Sequence, residues 1–270
     1  MLKYEVSYVI PTLNSAKTLE MTLLSLRSQR DVNVTTIVVD SGSTDGTLDI
    51  CKRWDVKVLY AEPGNMYQAI NVGLRECNTE WVAYINSDDW LYQNILAQMM
   101  AYGFKANADI IYGNCDFTDV CGRFISSFSS AYPEQLHSLF QSLILGFPQQ
   151  TAIFRKQVYQ QIMGFNENYW LSADYDFYFR ALKHGAVFTF FDAEPVACFR
   201  IHSTQLTNTK AKEMQAEVKK IVAEVGNPPN TQDKFVVIQW KIKNIPHYII
   251  RLWRQSLLAG KLKVNSSMKS

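Results

Sequence analysis

Ile37-Val38-Val39-Asp40-Ser41-Gly42-Ser43-Thr44-Asp45-Gly46-Thr47 decides the fold of this 270-residue chain. Three β-branched residues in a row make a short buried strand. Asp40 closes it, two glycines let the backbone turn tightly, and a helical pattern resumes at Thr47. The same unit recurs on both sides. Upstream, 6–10 is a β-rich run that Pro11 stops, and 15–29 carries Leu19, Leu23 and Leu26 at helical spacing, with Asn14 or Ser15 placed to cap. Downstream, 47–54 reads as helix, 56–60 as strand and 66–75 as helix. A fourth strand at 81–85 runs into Asn86-Ser87-Asp88-Asp89, followed by a helix over 91–103 and a fifth strand at 109–112. Alternation of this kind predicts an α/β fold with a mostly parallel central sheet flanked by helices.

The second half is less regular. A hairpin over 115–130 turns at Gly122, short elements cover 150–154 and 155–161, an aromatic-rich helix spans 172–184, and a long apolar strand fills 187–199. A charged helix over 209–225 precedes the break at Asn227-Pro228-Pro229-Asn230. The expected organisation is a catalytic domain at 1–205, divided into a ligand half at 1–114 and a second half at 115–205, with a helical, amphipathic extension at 206–270.

Composition bounds the function. A hydrophobic content of 47% over 270 residues supports one sizeable core. A net charge of +2 gives no pervasive basic field, so nucleic acid is not an expected partner. Cys51, Cys77, Cys115, Cys121 and Cys198 form no CxxC pair, which fits free thiols in a reducing compartment. The N-terminal apolar run is too short for a leader and reads as a first strand, and no stretch has the length of a membrane span, so a cytoplasmic protein is expected.

Ligands of parallel sheets sit at the carboxyl ends of strands. Here those ends carry Pro11-Thr12-Leu13-Asn14, Asp40-Ser41-Gly42-Ser43 and Asn86-Ser87-Asp88-Asp89. Adjacent carboxylates are costly unless a cation joins them, and Mg²⁺ or Mn²⁺ shared with substrate phosphates is one solution; capping of the next helix is the other. Asp40 can accept from a base or a ribose hydroxyl, or simply order a βα turn. GxGxxG and GxxxxGK[ST] are both absent, which disfavours dinucleotide binding and excludes a P-loop. Asp174 opens the helix over 172–184, where the dipole stabilises negative charge with or without chemistry.

VSYVIPTLNSAKTLEMTLLSL (6–26), VVDSGSTDGT (38–47), NMYQAINVGL (65–74) and WVAYINSDDW (81–90) together resemble, in order and spacing, the motifs of the family 2 glycosyltransferases. The resemblance continues through PQQTAIFRKQVYQQIMGFNE (148–167) and SADYDFYFRAL (172–182), and is greatest to bacterial enzymes that build surface polysaccharides. It implies the GT-A fold and transfer from a nucleotide-diphospho-sugar, a UDP-sugar foremost, to a saccharide or lipid-linked saccharide acceptor. It places Pro11, Thr12 and Asn14 along the nucleotide, Asp40 near the base, and Gln68 and Asn71 on a helix facing the donor. Asp88 and Asp89 match the DXD motif that binds ribose and the metal–diphosphate, with Asn86 at its first acidic place. Asp174 matches the general base, with Asp176 a structural acid beside it. His202 is a further metal ligand or a loop histidine, and Arg200 a phosphate contact. The chemistry expected is a single inverting displacement with no covalent enzyme intermediate.

Trp90, Tyr169 and Trp170 are candidates for an acceptor platform, Trp170 foremost. The segment 234–263 mixes Trp, Ile and Leu with Lys and Arg and is divided by Pro246; a membrane surface, the body of the protein or a second subunit would each suit it. Two rival functions are a sugar nucleotidyltransferase, for which the first strand end lacks a basic glycine-rich loop, and a non-catalytic sugar-binding relative, for which Asp88, Asp89 and Asp174 would have no purpose.

Overall fold

The computed structural model describes residues 4–203 and 205–259. Its nine strands form one mixed sheet. They are β1 (Tyr4–Thr12), β2 (Val32–Asp40), β3 (Lys57–Tyr60), β4 (Trp81–Tyr84), β5 (Trp90–Leu91), β6 (Ile110–Thr118), β7 (Phe124–Phe128), β8 (Ile153–Arg155) and β9 (Phe188–Arg200). The order across the sheet is β3-β2-β1-β4-β8-β6-β9-β5, with β7 pairing β6. β3, β2, β1 and β4 are mutually parallel, β8 is antiparallel to both β4 and β6, and β6 and β9 are parallel. The expected parallel sheet is present in β3-β2-β1-β4, while β5, β7 and β8 each pair antiparallel and make the whole sheet mixed.

Strand alternation divides the core between the two faces. Val6, Tyr8 and Ile10 pack under α1 (Leu19–Arg27), α2 (Thr47–Trp54) and, through Ile95 and Met99, α4 (Ile95–Lys105). Val9 faces α3 (Met66–Glu76) together with α5 (Pro133–Gln141), α6 (Lys156–Gln161), α7 (Ala173–Lys183) and α9 (Ala211–Val225). Leu19, Leu23 and Leu26 are buried as their spacing requires, each contributing roughly 1.5–3 kcal/mol. A Cβ on Gly73 would meet Val9 Cγ1 at 2.5 Å, so the glycine lets α3 lie close on β1. A four-residue helix α8 (Leu206–Thr209) precedes α9, and α10 (Thr231–Ala259) packs on α5 and β7.

Several local expectations change. β1 runs through Pro11 because β4 pairs β1 only as far as Val9, so the missing N–H is lost beyond the end of that ladder. The first helix begins at Leu19, and neither Asn14 nor Ser15 caps it by side chain. Asp88 and Asp89 do not cap a helix: β5 follows them, and α4 starts only at Ile95 after Asn94. Helix α5 was not anticipated, although Leu136, Leu139 and Phe140 fall at helical steps behind Pro133. Pro246 does not divide the last helix, because it lies on an exposed side of α10. All five cysteines are free thiols.

Candidate active site

The first wall of the site joins the carboxyl ends of β1 and β2, where Thr12 and Asp40 are register partners. Asp40 is 1% exposed, and both its oxygens are engaged within the loop. Oδ1 accepts the N–H groups of Gly42 (3.0 Å) and Ser43 (2.8 Å); Oδ2 accepts the hydroxyls of Thr12 (2.9 Å) and Ser43 (2.5 Å). Gly42 supplies the φ of +95° that this turn needs. Asn14, also left-handed, clasps the facing loop: its N–H donates to Ser43 Oγ and its Oδ1 accepts from Thr44 N–H at 2.9 Å. Ser15 Oγ then meets Ser87 Oγ at 2.7 Å, tying this wall to the loop after β4.

That loop presents Asp88 and buries Asp89. Asp88 Oδ2 lies 2.8 Å from His202 Nε2, and each side chain is about a quarter exposed. Asp89 is fully buried, with Oδ1 accepting the Arg200 N–H at 3.0 Å. Burial, and then the adjacent Asp88 charge, push its carboxyl well above the ordinary range. Asp89 Oδ1 thus braces the segment before β5 against β9, while Asp88 is the carboxylate that reaches His202. Arg200 donates from Nε to the Asp88 carbonyl and from Nη1 to the Val120 carbonyl, with its guanidinium 4.8 Å from the Trp90 ring. It therefore orders the Asp88 loop directly.

Asp88 and His202 suit a hard divalent cation: one carboxylate oxygen and one imidazole nitrogen converge, and Mg²⁺ or Mn²⁺ ordinarily completes its shell with substrate phosphates and water. Among the described residues no three His, Cys, Asp or Glu side chains make a closed cage, so the phosphates would be needed.

The opposite wall comes from α3 and α7. Asp174 Oδ1 accepts the Tyr67 hydroxyl (3.1 Å) and the Tyr175 N–H (2.8 Å). Burial raises its proton affinity above the ordinary aspartate range, against the lowering effect of those hydrogen bonds. Tyr67 lies on α3, so its hydrogen bond ties the start of α7 to α3. Gln68 is half-buried on α3. Asn71, expected to face a donor, is instead 3% exposed and fully used: Nδ2 donates to Phe165 O and Glu167 Oε1, while Oδ1 accepts from Phe165 N–H and the Tyr159 hydroxyl. It fastens α3 to the 159–167 segment. Asp176 pairs with Arg180, whose Nη2 also binds Gly164 O, so it is structural as expected.

Glu217 was invisible to sequence reasoning. From α9 its carboxylate accepts the N–H groups of Trp170 (3.0 Å), Leu171 (2.9 Å) and Ser172 (3.0 Å), the loop that delivers Asp174. No local pattern signals a contact of this sequence separation. Of the proposed aromatics, Tyr169 is buried with its hydroxyl on Glu224, Trp90 lies under Arg200, and Trp170 alone is largely open, at 60% exposure.

The mixed sheet, with Thr12, Asp40 and Asp88 at or after its parallel strand ends, is that of a GT-A glycosyltransferase. The chain belongs to glycosyl transferase family 2, whose family model matches residues 7–163. It is 28% identical over 223 residues to RP339, an uncharacterised glycosyltransferase of Rickettsia prowazekii, covering 78% of this chain and 68% of the relative. It is 29% identical over 191 residues to the PGL/p-HBAD biosynthesis glycosyltransferase Rv2957 of Mycobacterium tuberculosis, covering 68% and 72%. Among solved structures, S. aureus TarS 1-349 in complex with UDP-GlcNAc superposes with a TM-score of 0.65 at 17% identity, over 90% of this chain and 73% of TarS 1-349. A longer TarS chain superposes with a TM-score of 0.63 at 20% identity; the match spans 89% of this chain but only 43% of TarS.

Proposed function

We propose that this glycosyltransferase moves a sugar from a nucleotide-diphospho-sugar, a UDP-sugar foremost, to an acceptor hydroxyl with inversion. Asp174 carries the reading: a carboxylate of raised proton affinity in the first turn of α7, whose Oδ1 is fixed by Tyr67 and Tyr175 and whose Oδ2 would take the proton of an incoming hydroxyl. The acceptor oxygen attacks the anomeric carbon as the bond to the diphosphate breaks. The hydroxyl proton passes to Asp174, and the nucleoside diphosphate departs. A placed base of this kind supplies about 10²–10⁴-fold.

Asp88 and His202 would hold the Mg²⁺ or Mn²⁺, which when bound neutralises the leaving diphosphate. Arg200 keeps the Asp88 loop in place and lies next to the phosphates. Pro11, Thr12 and Asn14 line the nucleotide, and Asp40 orders the loop that receives the base. Trp170 offers a flat face to an acceptor sugar. The TarS complex with UDP-GlcNAc supports the choice of UDP, and the mycobacterial relative, named for PGL/p-HBAD biosynthesis, supports a biosynthetic transfer.

The test is a thermal-shift screen of UDP, GDP, dTDP and CMP, each with and without Mn²⁺. A metal-dependent shift with one nucleoside diphosphate is expected. No shift with any of them at saturating concentration sinks the donor-site reading, and donor hydrolysis then separates a binding relative from an enzyme.

A further inference from the structure

Helix α10 has two opposite faces. One packs on the protein through Asp233, Val237 and Trp240, with Arg251 stacked on Phe117 and Tyr248. The other is apolar and uncovered. Phe235, Ile238, Ile242, Ile245, Ile249 and Trp253 are each 49–61% exposed and recur at three- and four-residue steps, so they share one stripe along the helix.

The charge pattern says what covers it. Lys234 and Lys241 border the stripe on one side, while Lys243 and Arg254 turn back onto the body, stacked on Tyr132 and Phe124. The only acid in α10 is Asp233, which is buried on the opposite face against Ser138. A second copy docked along the stripe would bring more cations to the seam with no acids to answer them, whereas paired helices place opposite charges beside the seam. An open apolar groove of about 520 Å³ continues from the stripe, lined by Leu143, Val222, Val237 and Ile238 together with Lys234 and Lys241. Apolar floor and cationic border match acyl chains beneath anionic headgroups. No helix among the described residues is long and apolar enough to cross a membrane, so the helix would lie in the interface plane.

We propose that α10 seats the protein on an anionic phospholipid surface, with Phe235, Ile242, Ile249 and Trp253 inserted among acyl chains and Lys234 and Lys241 on the headgroup phosphates. The proposal stands apart from the donor-site assignment, since no residue of the cleft takes part.

The experiment is co-sedimentation of the full chain with phosphatidylcholine vesicles, with and without phosphatidylglycerol. Binding is expected only with phosphatidylglycerol, and is expected to weaken with salt. Lys234→Gln with Lys241→Gln weakens it by on the order of tenfold. Ile242→Glu with Ile249→Glu abolishes it, while circular dichroism shows the fold intact. Equal binding to both vesicle types overturns the proposal, as does no binding by folded protein. A concentration-dependent dimer that the double glutamate variant dissolves, without vesicle binding, assigns the stripe to a second copy instead.

Discussion

Asp174 and Asp88 stand out in the sequence beside periodic elements, but adjacency says nothing about which carboxylate of Asp88-Asp89 turns inward. The structure sends Asp88 towards His202 and Asp89 into the core, and the two should behave differently. Asp88→Ala is expected to abolish the Mn²⁺-dependent part of the UDP thermal shift. Asp89→Asn should keep it, and a lost metal response there would make Asp89 a ligand. For Asp174, replacement by Asn should lower kcat by about 10²–10⁴-fold with little change in donor KM. The base works deprotonated and burial raises its proton affinity, so activity should appear as pH rises through a value above the ordinary aspartate range. Tyr67→Phe removes a hydrogen bond that holds this affinity down, so the acid limb should move to higher pH. An unmoved limb would mean that another group sets it.

Among elements, the strands and helices of the first half were readable from periodicity alone, since parallel strands buried on both faces are continuously apolar. The antiparallel pairing of β8 was not, although the strand itself overlaps the element read at 150–154, and helix α5 was not read despite Leu136, Leu139 and Phe140 at helical steps. A three-residue strand has no period of its own, and its identity comes from the ladders on either side. Helix α9 shows how an element outside the sheet reaches the chemistry, because Glu217 gathers three consecutive N–H groups just before Asp174. Glu217→Ala leaves those donors to solvent, at a cost of about 1–3 kcal/mol. The expected signature is a drop in kcat exceeding any change in donor KM, together with faster amide exchange at 170–172. Normal exchange there would remove the positioning role.

At the scale of the molecule, the two halves are fastened by polar contacts as well as by core packing. Asn71 makes four hydrogen bonds to the 159–167 segment. Asn71→Ala should therefore destabilise the whole chain by about 1–3 kcal/mol, read as a lower chemical-denaturation midpoint with unchanged slope. If donor affinity fell while stability held, Asn71 would be a donor contact after all. The sequence put Asn71 on α3 but could not show its bonds to the 159–167 segment, because a helix carries both an outward and a core-facing row and the motif does not say which one an asparagine joins.

The position of β8 has a consequence for how the chain is made. It fills the slot between β4 and β6, yet it emerges from the ribosome well after both. Until it arrives, two part-sheets face one another with open ladders, each a template for unwanted pairing. The middle of the sheet is thus completed late, by a contact of long sequence separation that slows folding. A nascent chain stalled before Ile153 would expose the edges that the finished molecule hides most deeply, and that window is where a chaperone would be needed.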